Sequence, residues 1–112
     1  MITEQNILDK LKIGLEQFGS YNYHDNGTFE FEMLQEAEEV EILNVVLKTL
    51  PPRHQKAVRY RFGLNGKKPE TLRKVGERLG VTQERVRQII AKALRMLRHP
   101  LRIIVLKEIL NT

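Results

Sequence analysis

Positions 83–88 read Gln-Glu-Arg-Val-Arg-Gln, and five of these six side chains carry strong hydrogen-bonding groups. Glu84 as a carboxylate only accepts, Arg85 and Arg87 only donate, and Gln83 and Gln88 do both. That mixture, packed into less than two helical turns, suits a surface that distinguishes one donor and acceptor pattern from another. Glutamine pairs with adenine, glutamate accepts from the amino group of cytosine, and arginine takes guanine or a phosphate. Bond-making chemistry has no comparable support. His24, His54 and His99 are scattered without ligand spacing, the chain has no cysteine, and no glycine-rich phosphate loop is present. The expectation is a protein that is not an enzyme and holds no metal or cofactor.

For these side chains to face outward together, a helix must carry them and something must brace it. Thr71 can cap a helix running to Leu79, Gly80 supplies a turn, and Thr82 caps a second, longer helix. Val75, Leu79, Val81, Val86 and Ile89 are apolar where two helices crossing steeply over a tight turn must touch. Gly76 sits at the close approach and Gly80 where the backbone needs positive φ. This is a helix-turn-helix. On its second helix Val86, Ile89, Ile90, Ala93 and Leu97 form the buried stripe, with Leu94 at its edge. Glu84, Gln88, Ala91 and Arg95 point the other way, flanked by Arg85, Arg87 and Lys92, as on a helix lying in a major groove.

Charge supports a polyanionic partner. The net charge of +5 combines residues 1–50, with 3 Lys/Arg against 10 Asp/Glu, and residues 51–112, with 16 against 4. A basic block of this kind binds phosphates by releasing counterions. Arg53, Arg59, Arg61, Arg73 and Lys74, with the backbone N–H groups at Thr71 and Leu72, are the phosphate candidates. Arg53, Arg59 and Arg61 are expected on the exposed side of a short helix from Pro52 or Arg53 to Arg61.

The same break at Leu50 divides the chain into an acidic N-terminal helical segment, 1–50, and a basic helix-turn-helix domain, 51–112. In the first, Ile7, Leu8, Leu11, Leu15 and Phe18 predict an amphipathic helix from Thr3 to Phe18. Residues 21–31 alternate aromatic and polar types on both sides of a three-residue loop, Asp25-Asn26-Gly27, and predict a small β-hairpin. An acidic helix follows from Met33 to Leu50, closed by Pro51-Pro52, and a last helix is expected over residues 100–110. The fold class is therefore mainly α, with one hairpin. No run approaches the ~18 apolar residues of a membrane span, and no secretory signal precedes the first helix, so a cytoplasmic location is expected.

Leu50 to Leu101 resembles region 4 of the sigma-70 family of RNA polymerase sigma factors. The resemblance is carried by Arg61-Phe62-Gly63-Leu64, Thr71-Leu72, Val75-Gly76, Val81-Thr82, the run from Glu84 to Ile89, Ala91 to Arg95, and Leu97 to Pro100. It implies a domain that reads the upstream minus-35 promoter element in double-stranded DNA and docks on the flap of the polymerase β subunit. By residue matching, Gln83, Glu84 and Gln88 read bases with Arg87 alongside. Arg53, Arg61 and the helix start at Leu72 contact phosphates, where Arg73, Lys74 and Arg85 add charge. Phe62, Leu64, Leu94 and Leu97 face the flap, and Lys92, Arg95 and Arg98 match positions where activators touch.

Three departures stand out. Gln83 replaces a usual arginine, removing a guanine contact and changing preference at that base by roughly 1–3 kcal/mol. Arg73-Lys74 replace an acidic pair, and Ile90 replaces a usual glutamate. Nothing before Leu50 resembles the promoter-melting region of a whole sigma factor, so a partner protein carrying that function is implied. Two other classes remain open: a dimeric helix-turn-helix regulator independent of polymerase, and a protein-binding module in which the acidic half covers the basic half.

Overall fold

The computed structural model describes residues 43–64 and 68–99, together with Asp9, Glu16, Phe18 and Glu108. Three helices organise them: α1 (Pro52–Phe62), α2 (Leu72–Leu79) and α3 (Gln83–Leu97). Residues 43–47 are also helical, and there is no strand among the described residues. The hairpin expected over 21–31 lies outside them, as do most of the helices expected at either end of the chain.

Each boundary has a local cause. Pro52 occupies the first turn of α1, where its missing N–H costs no hydrogen bond, and Gly63 ends the helix at φ 70°. The preceding helical stretch closes with bonds from Lys48, Thr49 and Leu50 to carbonyls three residues back, a tightened last turn before the two prolines. Thr71 and Thr82 cap α2 and α3, accepting from the N–H of Lys74 at 3.2 Å and of Arg85 at 3.1 Å.

Between α2 and α3 the turn is set by two glycines with different duties. Gly80 adopts φ 72°, a conformation costly for other residues. Gly76 is helical, but a Cβ there would lie 2.6 Å from the Val81 carbonyl oxygen. The expected close approach of the two helices is thus a contact of backbone on backbone.

α3 packs against both α1 and α2. Val58, Val75, Val86, Ile89 and Ile90 meet at this junction and are almost fully buried, each worth ~1.5–3 kcal/mol of apolar transfer. Leu43, Val46, Leu47 and Leu50 enter the same core, as does Phe18. The change of charge at Leu50 therefore does not coincide with a gap in packing. Arg59 fastens this junction: its guanidinium donates to Oδ1 and to the backbone carbonyl of Asn44, whose own amide donates to the Leu64 carbonyl.

Candidate nucleic-acid interface

The first turns of α3 present Gln83, Glu84, Arg85 and Gln88 to solvent, with Lys92 and Arg95 further along. Thr82, in extended conformation, caps α3 and sets Gln83 as its first helical residue, which fixes the rotation of these side chains about the helix axis. Four expected readers or phosphate contacts are therefore gathered on one edge. A shallow groove at the turn, lined by Arg73, Gly76, Glu77, Gly80, Val81, Thr82 and Gln83, brings Arg73 of α2 next to that edge.

The exposed side chains are joined to one another. Arg87 donates from Nε and Nη2 to both oxygens of Glu84, the shortest contact being 2.6 Å. Gln88 Nε2 donates to Glu84 Oε1 at 3.4 Å, and Arg85 Nη1 donates to Gln88 Oε1 at 3.4 Å. The hydrogen bond from Arg87 holds the Glu84 carboxyl below its ordinary value, with the Arg87 charge and Gln88 assisting and desolvation opposing. The ionised, purely accepting form of Glu84 is thus favoured.

Two arginines depart from their expected exposure. Arg61 is 1% exposed, with its guanidinium 5.5 Å from the Phe18 ring centroid and 5.8 Å from that of Phe62. A cation held over two rings inside the core is not placed to meet a phosphate. Arg87 is also buried; besides Glu84 it donates to the Phe18 backbone carbonyl at 2.5 Å. Ala91, expected beside Gln88 on the outward face, is buried as well. α3 is covered over more of its circumference than packing on α2 alone would require.

The remaining basic candidates divide by commitment. Arg53 is exposed on α1. Arg73 and Lys74 are exposed and each lies within 4 Å of Glu77, loose pairs that a phosphate can replace. Leu72 has its side chain buried, so its contribution to a phosphate site is its backbone N–H. Arg59 is tied to Asn44, and Arg78 to Glu70 while lying 5.2 Å from the Tyr60 ring centroid.

The apolar residues matched to a polymerase face are differently disposed. Leu64, Leu94 and Leu97 are buried within the core, and Phe62 is half-buried with its ring 5.7 Å from that of Phe18, edge to face. Lys92 and Arg95 remain exposed and Arg98 partly so.

His54 sits half-buried on α1. Its pKa is pushed below 6.5, first by burial and then by the charges of Lys92, Arg85 and Arg53. These cations from α1 and α3 therefore share one electrostatic field. Positions 53 and 54 on α1 and positions 85 and 92 on α3 come together only where α1 packs on α3.

Among the described residues there is no grouping of three or more metal-binding side chains, and no helix is long and apolar enough to cross a membrane. The family model for sigma-70, region 4 matches residues 46–99, a span that contains all three helices and the exposed Gln83, Glu84 and Gln88. Residues 46–99 belong to the sigma-70 region 4 family. RNA polymerase sigma factor SigA of Clostridium acetobutylicum is 49% identical over 81 residues, 72% of this chain and 20% of that protein. SigA of Listeria monocytogenes gives the same identity and coverage, and SigA1 of Synechococcus elongatus is 52% identical over 68 residues, 61% of the chain and 17% of that protein. The chain spans about a fifth of the length of these relatives. A sigma-factor-like, DNA-binding role in transcription follows for the region 4 domain.

Proposed function

We propose that this domain reads a minus-35-like promoter element with the outer edge of α3 and joins that DNA to the flap of the RNA polymerase β subunit. The observation that carries the reading is the exposed, mutually hydrogen-bonded set Glu84, Arg85 and Gln88 beside Gln83, at the start of a helix braced by α2. Side chains in the first turns of such a helix reach base edges, whereas later ones reach phosphates. Gln83 and Gln88 supply donor and acceptor pairs, Glu84 accepts from a base amino group, and Arg85 donates to guanine or to a phosphate.

Arg53, Arg73, Lys74 and the α2 N-terminus at Leu72 anchor the backbone, and salt weakens this part of the binding. Arg61 is better assigned to the core, and Arg87 to positioning Glu84. Toward polymerase, Phe62 and the cations Lys92, Arg95 and Arg98 are the residues with accessible surface, while Leu64, Leu94 and Leu97 shape the support beneath them. In this reading the function is exercised where the polymerase works, in the cytoplasm.

The test is a capture experiment with purified chain, isolated β flap and duplex DNA. The reading predicts a ternary complex, with flap binding reduced by Phe62→Ala and DNA binding reduced by Gln88→Ala. DNA binding without any flap binding would leave a regulator independent of polymerase.

A further inference from the structure

We propose that Phe18 and Arg87 form a positioning relay for the reading edge of α3. By this relay a residue outside the family-matched span sets the orientation of Glu84 and Gln88. The proposal rests on the DNA-reading function argued above and names what tunes it.

The path is continuous from core to surface. Phe18 is fully buried, its ring edge-on to Phe62 and 5.5 Å from the Arg61 guanidinium. Those contacts hold its backbone carbonyl in place, and Arg87 Nη1 donates to that carbonyl at 2.5 Å. A guanidinium is planar with donors in a fixed fork, so pinning one nitrogen aims the others. Nε and Nη2 then meet both oxygens of Glu84. Glu84 in turn accepts from the Gln88 amide nitrogen, and Gln88 oxygen accepts from Arg85, which fixes which end of the amide is donor and which acceptor.

An Arg87 and Glu84 pair three residues apart is available to any helix. The distinguishing contact is the one to a carbonyl 69 residues away. That contact restrains the Arg87 rotamer in which Glu84 is held against the helix. With it, Glu84 Oε2 accepts from Arg87 Nε alone among the described residues and keeps a lone pair for an incoming amino group.

The experiment selects bound sequences from a randomised duplex library using the full chain. The proteins are the parent, Glu84→Gln, Phe18→Ala, Arg87→Lys and the double variant Phe18→Ala/Glu84→Gln, with folding followed by circular dichroism. Glu84→Gln identifies the base that Glu84 reads. The relay predicts that Phe18→Ala and Arg87→Lys lose at least about threefold discrimination at that same base, a fraction of the roughly five- to 150-fold that one good base contact supplies. Phe18→Ala keeps its affinity for non-specific duplex, and the double variant loses no more than Glu84→Gln alone.

A folded Phe18→Ala with an unaltered base profile, losses spread evenly over all positions, or an additive double variant would each overturn the relay. If Phe18→Ala does not fold, Phe18→Leu, which keeps a buried side chain but loses the ring contacts, takes its place. Loss of the fold in both would also overturn it, since the contacts would then serve structure alone. A parent that enriches no sequence defeats the DNA-reading function itself; a selective parent with variants that match it defeats only the relay.

Discussion

Two ion pairs stand one helix apart in this domain and behave as opposites. On α2, Arg73 and Glu77 lie 3.7 Å apart with side chains 83% and 56% exposed. On α3, Arg87 and Glu84 meet at 2.6 Å, with Arg87 only 7% exposed and Glu84 51%. The first pair is solvated and loosely held, so a phosphate can take Arg73 from Glu77 at small cost. The second spends its cation inside the protein to orient a carboxylate at the surface. The cations of these two pairs are thus of two kinds, one open to an incoming phosphate and one committed to positioning a carboxylate. Only exposure distinguishes them.

The sharpest way to break this contrast is to separate the helices that create it. Gly76→Val drives a side chain into the Val81 carbonyl and should destabilise the fold by about 3 kcal/mol, seen as a lower denaturation midpoint. Arg87→Ala removes a buried stem and several charge-assisted bonds, with an expected cost of about 2 kcal/mol in the same assay. Arg73→Ala should change stability by no more than about 0.5 kcal/mol. Its effect belongs on DNA: weaker binding to all sequences alike, with the salt slope reduced by about 1. Equal stability losses for Arg73→Ala and Arg87→Ala would dissolve the distinction.

The smallest expected effect is one of pH. Because folding lowers the pKa of His54, the unfolded chain takes up the proton first. Stability is therefore highest above about 6.5 and falls as the pH drops through that value, until the folded His54 also protonates. His54→Gln should flatten this part of the melting profile, and an unchanged acid slope would remove His54 from the account.

What could be read from the sequence follows from distance along the chain. The caps Thr71 and Thr82, the turn at Gly80 and the demand for glycine at 76 depend on neighbours within a few positions, and they stand as the spacing predicts. Gln83, Glu84, Arg85 and Gln88 were legible for the same reason, since one helical rotation exposes them all.

Arg61 and Arg87 were not. A charged residue reads as exposed until its partner is known, and theirs includes Phe18, far away in the chain and outside the span matched to region 4. Arg59 is a milder instance, tied to Asn44 across a 15-residue separation that no periodicity marks. Ala91 shows the complementary failure: a wheel drawn for packing on α2 alone leaves it outward, yet α3 is enclosed from more than one side.

The central claim is that the outer edge of α3 reads base sequence. Gln83→Arg tests it most directly, by comparing the sequences that the parent and the variant enrich from randomised duplexes at fixed salt. The account predicts that both enrich a defined motif and that the variant gains preference for guanine at a single position, by roughly 1–3 kcal/mol, with the rest of the motif unchanged. Enrichment of no motif by the parent, or a variant that binds every sequence more tightly without shifting preference at any base, would contradict it.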